Sequence, residues 1–296
     1  MTAPPAAWRR DGRDWPNGAA SRFIAAAGMV WHVQVMGSGP AVLLAHGTGA
    51  ATHSWRDLAP LLARRMTVVA PDLPGHGFTA APPRAALSLP FMAQTLAELC
   101  RTLGIAPALA VGHSAGAAVL ARMCLDAAIA PHGLVALNGA LLPLYGLPGR
   151  VFSPLAKLIV RLPGVPDLFA WRAGDRRMVE RLLRDTGSTL DARGVDLYAR
   201  LAGRPDHARA ALTMMAAWDL DPLLRDLPRL RQPLLLIAGA NDRTIAPAES
   251  ERVRALVPDG RIRILPRLGH LAHEEAPAAT AAAVLEFAQD CGALAD

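Results

Sequence analysis

The chain lacks any apolar run approaching the roughly eighteen residues that a membrane-spanning helix needs, and nothing at its start resembles a secretory leader, so a cytoplasmic location is expected. Cysteine is scarce. Cys100, Cys124 and Cys291 form neither a C-x-x-C pair nor a metal-ligand spacing, which predicts three free thiols in a reducing compartment. Lysine is nearly absent: Lys157 is the single one among 31 basic residues, and together with the alanine excess this points to a GC-rich genome rather than to chemistry. There is no internal repeat, no low-complexity tract and no nucleic-acid motif. No motif calls for a cofactor. What is present is apolar: hydrophobic residues make up 52% of 296, ample for a large core. Strand-like and helix-like segments alternate, which predicts an α/β fold: a mostly parallel twisted sheet with helices on both faces.

The most informative segment is Val111-Gly112-His113-Ser114-Ala115-Gly116. Leu109-Ala110-Val111 reads as the end of a buried strand, and Ala117 to Met123 continues as an alanine-rich helix. Between them the chain must turn sharply, which holds Ser114 in a strained conformation with its hydroxyl projecting. Gly112 and Gly116 omit the β-carbons that would collide as strand and helix converge. A hydroxyl is a poor nucleophile at neutral pH, so Ser114 needs a base, an acid to orient that base, and donors for an oxyanion.

Candidates occur in the order Ser, Asp, His. The alternating segment Arg261 to Leu265 leads into Pro266-Arg267-Leu268-Gly269-His270, which places His270 on the loop after a late strand. His273, three residues on, is the competing base. The run Pro233 to Gly239 ends in Ala240-Asn241-Asp242, and Asp242 is preferred as the acid to Asp219 and Asp221, which lie near a helix end. Ser114, Asp242 and His270 are therefore the expected triad. The amide of Ala115 is one expected oxyanion donor. The amide of Thr48, in the His46-Gly47-Thr48-Gly49 loop after the strand Ala41 to Ala45, is the other. No metal is expected, because H-x-x-H-E-E from His270 to Glu275 is not H-E-x-x-H.

The expected organisation is an N-terminal arm over 1–20, a core over 21–140 and 213–296, and a helical cap over 141–212. The arm is expected to be loosely held. From Gly146 to Leu212, eleven Arg and one Lys face six Asp and one Glu, so this segment holds nearly all of the net charge of +6. Its apolar residues either cover a large apolar ligand bearing carboxylates, touch a membrane edge, or simply pack on the core. Leu155, Leu158 and Ile159 share one helical face beside Lys157 and Arg161, with Val160 adjoining and Phe169 and Trp171 further on, a pattern compatible with weak peripheral contact with anionic lipid. Substrate contacts are expected from His46, Gly47 and His53 on the early loop and from Tyr145, Arg172 and Arg176 in the cap.

The HG loop, the G-H-S-A-G elbow, the late Asp and the G-H-x-x-H-E string together resemble the α/β-hydrolase superfamily over essentially the whole chain. More narrowly, the chain resembles the α/β-hydrolase-like magnesium-chelatase accessory proteins of bacteriochlorophyll biosynthesis. The strings behind this are Asp14-Trp15-Pro16-Asn17, Ser21-Arg22-Phe23, Trp31-His32-Val33-Gln34, His46 to Arg56, Pro71 to Thr79, and Thr186 to Asp191. The resemblance implies a purple-bacterial source and a tetrapyrrole pathway, with a porphyrin or its magnesium complex as ligand and magnesium-chelatase subunits as partners. His53 would then be an axial ligand to a bound magnesium porphyrin, or simply a structural loop histidine. The resemblance does not imply magnesium insertion, since nothing here looks like an ATPase or the large porphyrin-binding subunit.

Ser114 stands where haloalkane dehalogenases and epoxide hydrolases carry Asp, and Tyr145 and Tyr198, the two tyrosines, have no motif for holding an epoxide. Thr48 replaces the proline of many esterases and peroxidases. Three readings stay open: a serine hydrolase acting in that pathway, a non-catalytic tetrapyrrole-binding accessory, and a general carboxylesterase or C–C hydrolase outside it.

Overall fold

The computed structural model describes residues 2–82, 86–143 and 175–295. Short segments bounded by turns form β1 (Ser21–Ala26), β2 (Met29–Met36), β3 (Ala41–Ala45), β4 (Thr67–Pro71), β5 (Leu109–His113), β6 (Gly133–Leu137), β7 (Leu234–Gly239) and β8 (Gly260–Leu265). They make one sheet in the order β1-β2-β4-β3-β5-β6-β7-β8. β2 runs antiparallel to both β1 and β4, and the pairs from β4 through β8 are parallel.

The helices preceding β6 are α1 (Ala6–Asp11), α2 (Leu58–Leu62), α3 (Leu89–Leu103) and α4 (Ala115–Leu125). Between β6 and β7 come α5 (Arg176–Asp185), α6 (Ala192–Ala202), α7 (Pro205–Ala217) and α8 (Asp221–Asp226). The last three are α9 (Pro247–Arg254), α10 (Ala272–Glu275) and α11 (Pro277–Asp290).

The central strands β3, β6 and β7 are apolar throughout because both faces of the sheet are covered there, whereas the edge strands β1 and β8 carry Arg22, Arg261 and Arg263. Alternate residues of a single strand feed different cores. Leu43, Ala110, Leu134, Ala136, Leu234 and Leu236 join α3 and α4 on one face. Val42, Leu44, Leu109, Val111, Val135, Leu137, Leu235 and Ile237 join α2 and α11 on the other. A charge at any of these positions would lose its water without gaining a partner.

β4 and β5 flank β3 on opposite sides, so the direction of chain progression reverses at β3. In an open parallel sheet such a reversal leaves a crevice at the carboxyl ends of the two diverging strands. The loops after β3, β5, β6, β7 and β8 carry Gly47, Ser114, Asn138, Asp242 and His270, all at this end.

The first twenty residues are not a loose arm. Trp15 is buried and its Nε1–H donates to Thr52 Oγ1 at 3.0 Å. Trp8 meets Phe23 and Phe78 edge-on, with centroids 5.4 and 4.9 Å apart. Arg200 of α6 grips Asp14 through two hydrogen bonds of 2.8 Å each. The arm is held by its two tryptophans, whose apolar area gains more from burial than a short polar segment would.

Candidate active site

Ser114 has φ 51 and ψ −119, outside the helical and extended regions. It is strained because β5 enters α4 with no loop between them: His113 ends the strand and Ala115 begins the helix. The small residues make the turn feasible. A β-carbon on Gly116 would collide with the Ala45 and His46 carbonyls of the neighbouring loop, and one on Gly112 would collide with the Ala117 backbone. Gly116→Ala is therefore expected to destabilise the fold by about 1–3 kcal/mol through overpacking against rigid backbone. Thermal unfolding of the variant beside the native chain checks this.

The structure pairs Asp242 with His270. His270 Nδ1 lies 2.8 Å from Asp242 Oδ2. The carboxylate is itself fixed: Oδ2 accepts from Asn138 Nδ2 at 2.7 Å, and Oδ1 accepts from the amides of Thr244 at 2.7 Å and Ile245 at 2.9 Å. With a carboxylate on Nδ1, the ring proton resides there and Nε2 is left as the basic atom. His113, beside the nucleophile position, uses its Nε2–H to hold the His270 carbonyl at 3.0 Å, and the two rings lie 4.9 Å apart. That bond ties the elbow directly to the backbone of His270. Burial, and then the neighbouring His273 and His270, hold the His113 pKa well below that of an ordinary histidine, so it remains a neutral strut.

His273 does not compete. It is enclosed between Trp55 and His113, with ring centroids 4.8 and 4.5 Å away, and burial pushes its pKa down to about 3. Its nearest carboxylate partner, Glu274, stands 4.0 Å off. The rest of H-x-x-H-E-E diverges. Glu274 meets Arg56 and accepts from Tyr198 Oη at 2.7 Å, while Glu275 accepts from the Gly269 amide at 2.9 Å. Among the described residues no cluster of three His, Cys, Asp or Glu is arranged to hold a metal ion. Asp219 accepts from the Asp221 amide at 3.0 Å, at the start of α8.

The early loop lies against the elbow: a β-carbon on Gly47 would stand 3.0 Å from that of Ser114. Thr48 Oγ1 meets Met214 Sδ of α7 at 3.5 Å. Ala115 is the first residue of α4, where helix geometry leaves the amide without an intrahelical acceptor. His207, which sequence reasoning passed over, anchors this loop: its Nε2–H donates to Gly49 O and its Nδ1 accepts from the Gly77 amide, each at 3.1 Å. Burial pushes the His207 pKa down to about 4, so it does both as a neutral ring.

Two expected substrate contacts, His46 and His53, need correction. His46 is fully buried and both nitrogens are used, Nδ1–H on Gly47 O at 2.8 Å and Nε2 accepting from the Leu73 amide at 2.9 Å. It shapes the loop and has no surface to offer a ligand. His53 is also fully buried, edge-on to Tyr198 at 4.5 Å and to Trp15 at 5.4 Å, so it offers no exposed nitrogen to a porphyrin metal. Arg176 is exposed, but its charge is taken by Asp196 at 2.6 Å and Glu180 at 3.5 Å. Tyr145, Arg172 and the apolar stripe from Leu155 to Trp171 lie outside the described residues. Among the described residues no helix is long and apolar enough to cross a membrane.

A strained serine between strand and helix, with a carboxylate-oriented histidine at the same end of a parallel sheet, defines a class. The sequence pattern of the Alpha/beta hydrolase family matches residues 42–283, and the chain belongs to that family. It is 36% identical to the "Magnesium-chelatase 30 kDa subunit" of Rhodobacter capsulatus, over 93% of this chain and 96% of that one. It is 26% identical to the 2-hydroxy-6-oxo-6-phenylhexa-2,4-dienoate hydrolase of Burkholderia cepacia, over 82% of this chain and 86% of that one. Among solved structures, an α/β-hydrolase-fold protein from Burkholderia ambifaria superimposes with a TM-score of 0.78 at 24% identity, covering 90% of this chain and 97% of that one.

Proposed function

We propose that this protein is a serine hydrolase of the ester-cleaving type that acts in bacteriochlorophyll biosynthesis near magnesium insertion, on or with a tetrapyrrole. The observation that carries the chemical half is the Asp242–His270 pair, whose acid is fixed by three further hydrogen bonds. In this reading Ser114 Oγ attacks the ester carbonyl while His270 Nε2 takes its proton. The amides of Thr48 and Ala115 receive the oxyanion, and Asp242 stabilises the imidazolium. His270 then returns the proton to the leaving alcohol. Water, activated by the same nitrogen, attacks the acyl-enzyme, and the acid departs as Ser114 is restored.

The pathway half is supported by the identity with the chelatase subunit. The same identity favours a second reading, in which the chain binds a tetrapyrrole and assists magnesium-chelatase subunits without catalysis. The identity with the Burkholderia cepacia hydrolase supports a third, a general carboxylesterase or C–C hydrolase outside the pathway. A fold alone never chooses between these. In each, the chain works in the cytoplasm.

A fluorophosphonate probe tests the first reading, with protoporphyrin titrated into the same preparations and followed at the Soret band. The native chain is expected to label and Ser114→Ala to stay unlabelled, with the porphyrin saturating both. Porphyrin binding without labelling supports the accessory. Labelling without porphyrin binding moves the protein out of the pathway.

A further inference from the structure

The loops that carry Asp242 and His270 are joined by a third piece of chain, the segment Thr186–Thr189 between α5 and α6. On the acid side, the Arg243 amide, one residue past Asp242, donates to Thr186 O at 3.0 Å. Gly187 has φ 88, and a β-carbon there would collide with the Asn241 carbonyl. On the base side, the Leu271 amide, one residue past His270, donates to Ser188 Oγ at 2.8 Å, and Ser188 is buried. A β-carbon on Gly269 would collide with the backbone of Gly187 and Ser188. One carboxylate closes the arrangement: Glu275 accepts from the Gly269 amide at 2.9 Å and from the Thr189 amide at 3.1 Å. The two loops touch each other through the Asn241 amide and Leu268 O at 2.8 Å.

We propose that Thr186–Thr189, together with Glu275, is a brace that positions the His270 imidazole against Asp242 and over Ser114. Ser188, Gly187 and Glu275 are positioning residues in it. This rests on the reading of Ser114, His270 and Asp242 as the catalytic set. Backbone amides one residue beyond both the acid and the base end on the same four residues. A shift of that segment therefore moves the two side chains relative to each other. Buried amides left without an acceptor must find one by moving, and a displacement of about 1 Å in a reacting group lowers rate by roughly a hundredfold.

Ser188→Ala removes the acceptor for the Leu271 amide, and Ser188→Thr restores it. On a short p-nitrophenyl ester, Ser188→Ala is expected to lower kcat by about ten- to a hundredfold with KM nearly unchanged, to displace the acid limb of the kcat/KM pH profile, and to be rescued by Ser188→Thr. The imidazole of His270, identified by the signal lost in His270→Ala, should show a changed Nδ1–H proton resonance in Ser188→Ala. Glu275→Gln, which keeps shape but loses one accepting oxygen, is expected to move the same signals and serves if Ser188→Ala does not fold. Unchanged kcat and unchanged His270 resonances in a folded variant overturn the brace. So does a loss of activity that merely follows the unfolded fraction. If the native chain neither labels nor turns over ester, the catalytic reading fails, but the His270 resonances still decide whether the brace positions that ring.

Discussion

Ser114→Ala and His270→Ala are each expected to lower turnover of a short p-nitrophenyl ester by about a thousandfold or more, and combining them should cost little further. In the proposed mechanism nucleophile and base make one step. Without His270 the Ser114 proton has no acceptor, and without Ser114 the imidazole has no hydroxyl to deprotonate. What survives in either variant is the background supplied by binding and by the oxyanion amides, which neither substitution touches. His273→Ala provides the contrast. That ring is buried, stays neutral with its pKa pushed down to about 3, and is not paired with Asp242, so most of the rate should remain. Steady-state kinetics on the native chain and the four variants, each checked for folding by circular dichroism, decides the matter. Multiplicative losses in the double variant, or a His273→Ala loss as large as that of His270→Ala, would sink the assignment.

Much of this site was legible along the chain because its signals are local. A strand running straight into a helix across G-x-S-x-G states its own geometry, and the apolar run before Asp242 and the alternating Arg-Ile segment before His270 both end where function is expected. The residues that fix those side chains were not legible, since their roles exist only across long separations. Asn138 reads as half of an Asn-Gly turn, yet its amide supports Asp242, 104 positions away. His113 reads as filler in the elbow, yet it holds the backbone of His270, 157 positions away. Ser188 lies in the Thr186–Asp191 string and Glu275 ends H-x-x-H-E-E, and neither string signals that its residue holds the loop of His270.

The errors run the other way. His46 and His53 sit in a glycine-containing loop beside the nucleophile, which is how ligand-binding residues look in sequence. Burial decided otherwise, and burial is a property of what packs on top. In the same manner Trp8 and Trp15, in a segment otherwise rich in Arg, Pro and Gly, gave no sign of the aromatic cluster at Phe23, His32 and Phe78 that receives them.

Asp72→Asn is expected to destabilise the fold more than any substitution in the triad. Asp72 is wholly buried and organises four separate segments. Its Oδ1 accepts from the Thr52 amide at 2.7 Å, while its Oδ2 accepts from the Phe78 amide at 2.8 Å and from His32 Nδ1–H at 2.7 Å. His32 passes the connection on to Ser21 Oγ at 2.8 Å. All three groups facing the carboxylate are donors, so an asparagine must turn its own NH2 towards at least one of them whichever way the amide is flipped. Losing the charge-assisted hydrogen bonds of a buried carboxylate while leaving a buried donor unsatisfied costs about 3–5 kcal/mol. At about 2–4 °C per kcal/mol for a domain of this order, the unfolding midpoint should fall by roughly 6–20 °C at neutral pH.

The pH dependence has a definite sign. Burial pushes the Asp72 carboxyl up, but the His32 ring beside it, His46 and the Phe78 amide outweigh that and hold it well below the usual carboxylate range. A carboxyl whose folded pKa is depressed binds fewer protons than the unfolded chain, so its contribution is present above the ordinary value of 3.8 and is lost as pH falls towards the folded value. Native protein should therefore lose stability from about pH 4 downwards, and Asp72→Asn, already lacking that contribution, should show a shallower decline over the same window. Thermal and denaturant unfolding of both proteins at neutral pH and at steps down to pH 3 measures this. Midpoints at neutral pH that agree within about 2 °C, which is at most about 1 kcal/mol by the same scaling, would mean that the buried carboxylate is not what holds the Thr52 and Phe78 loops to the sheet.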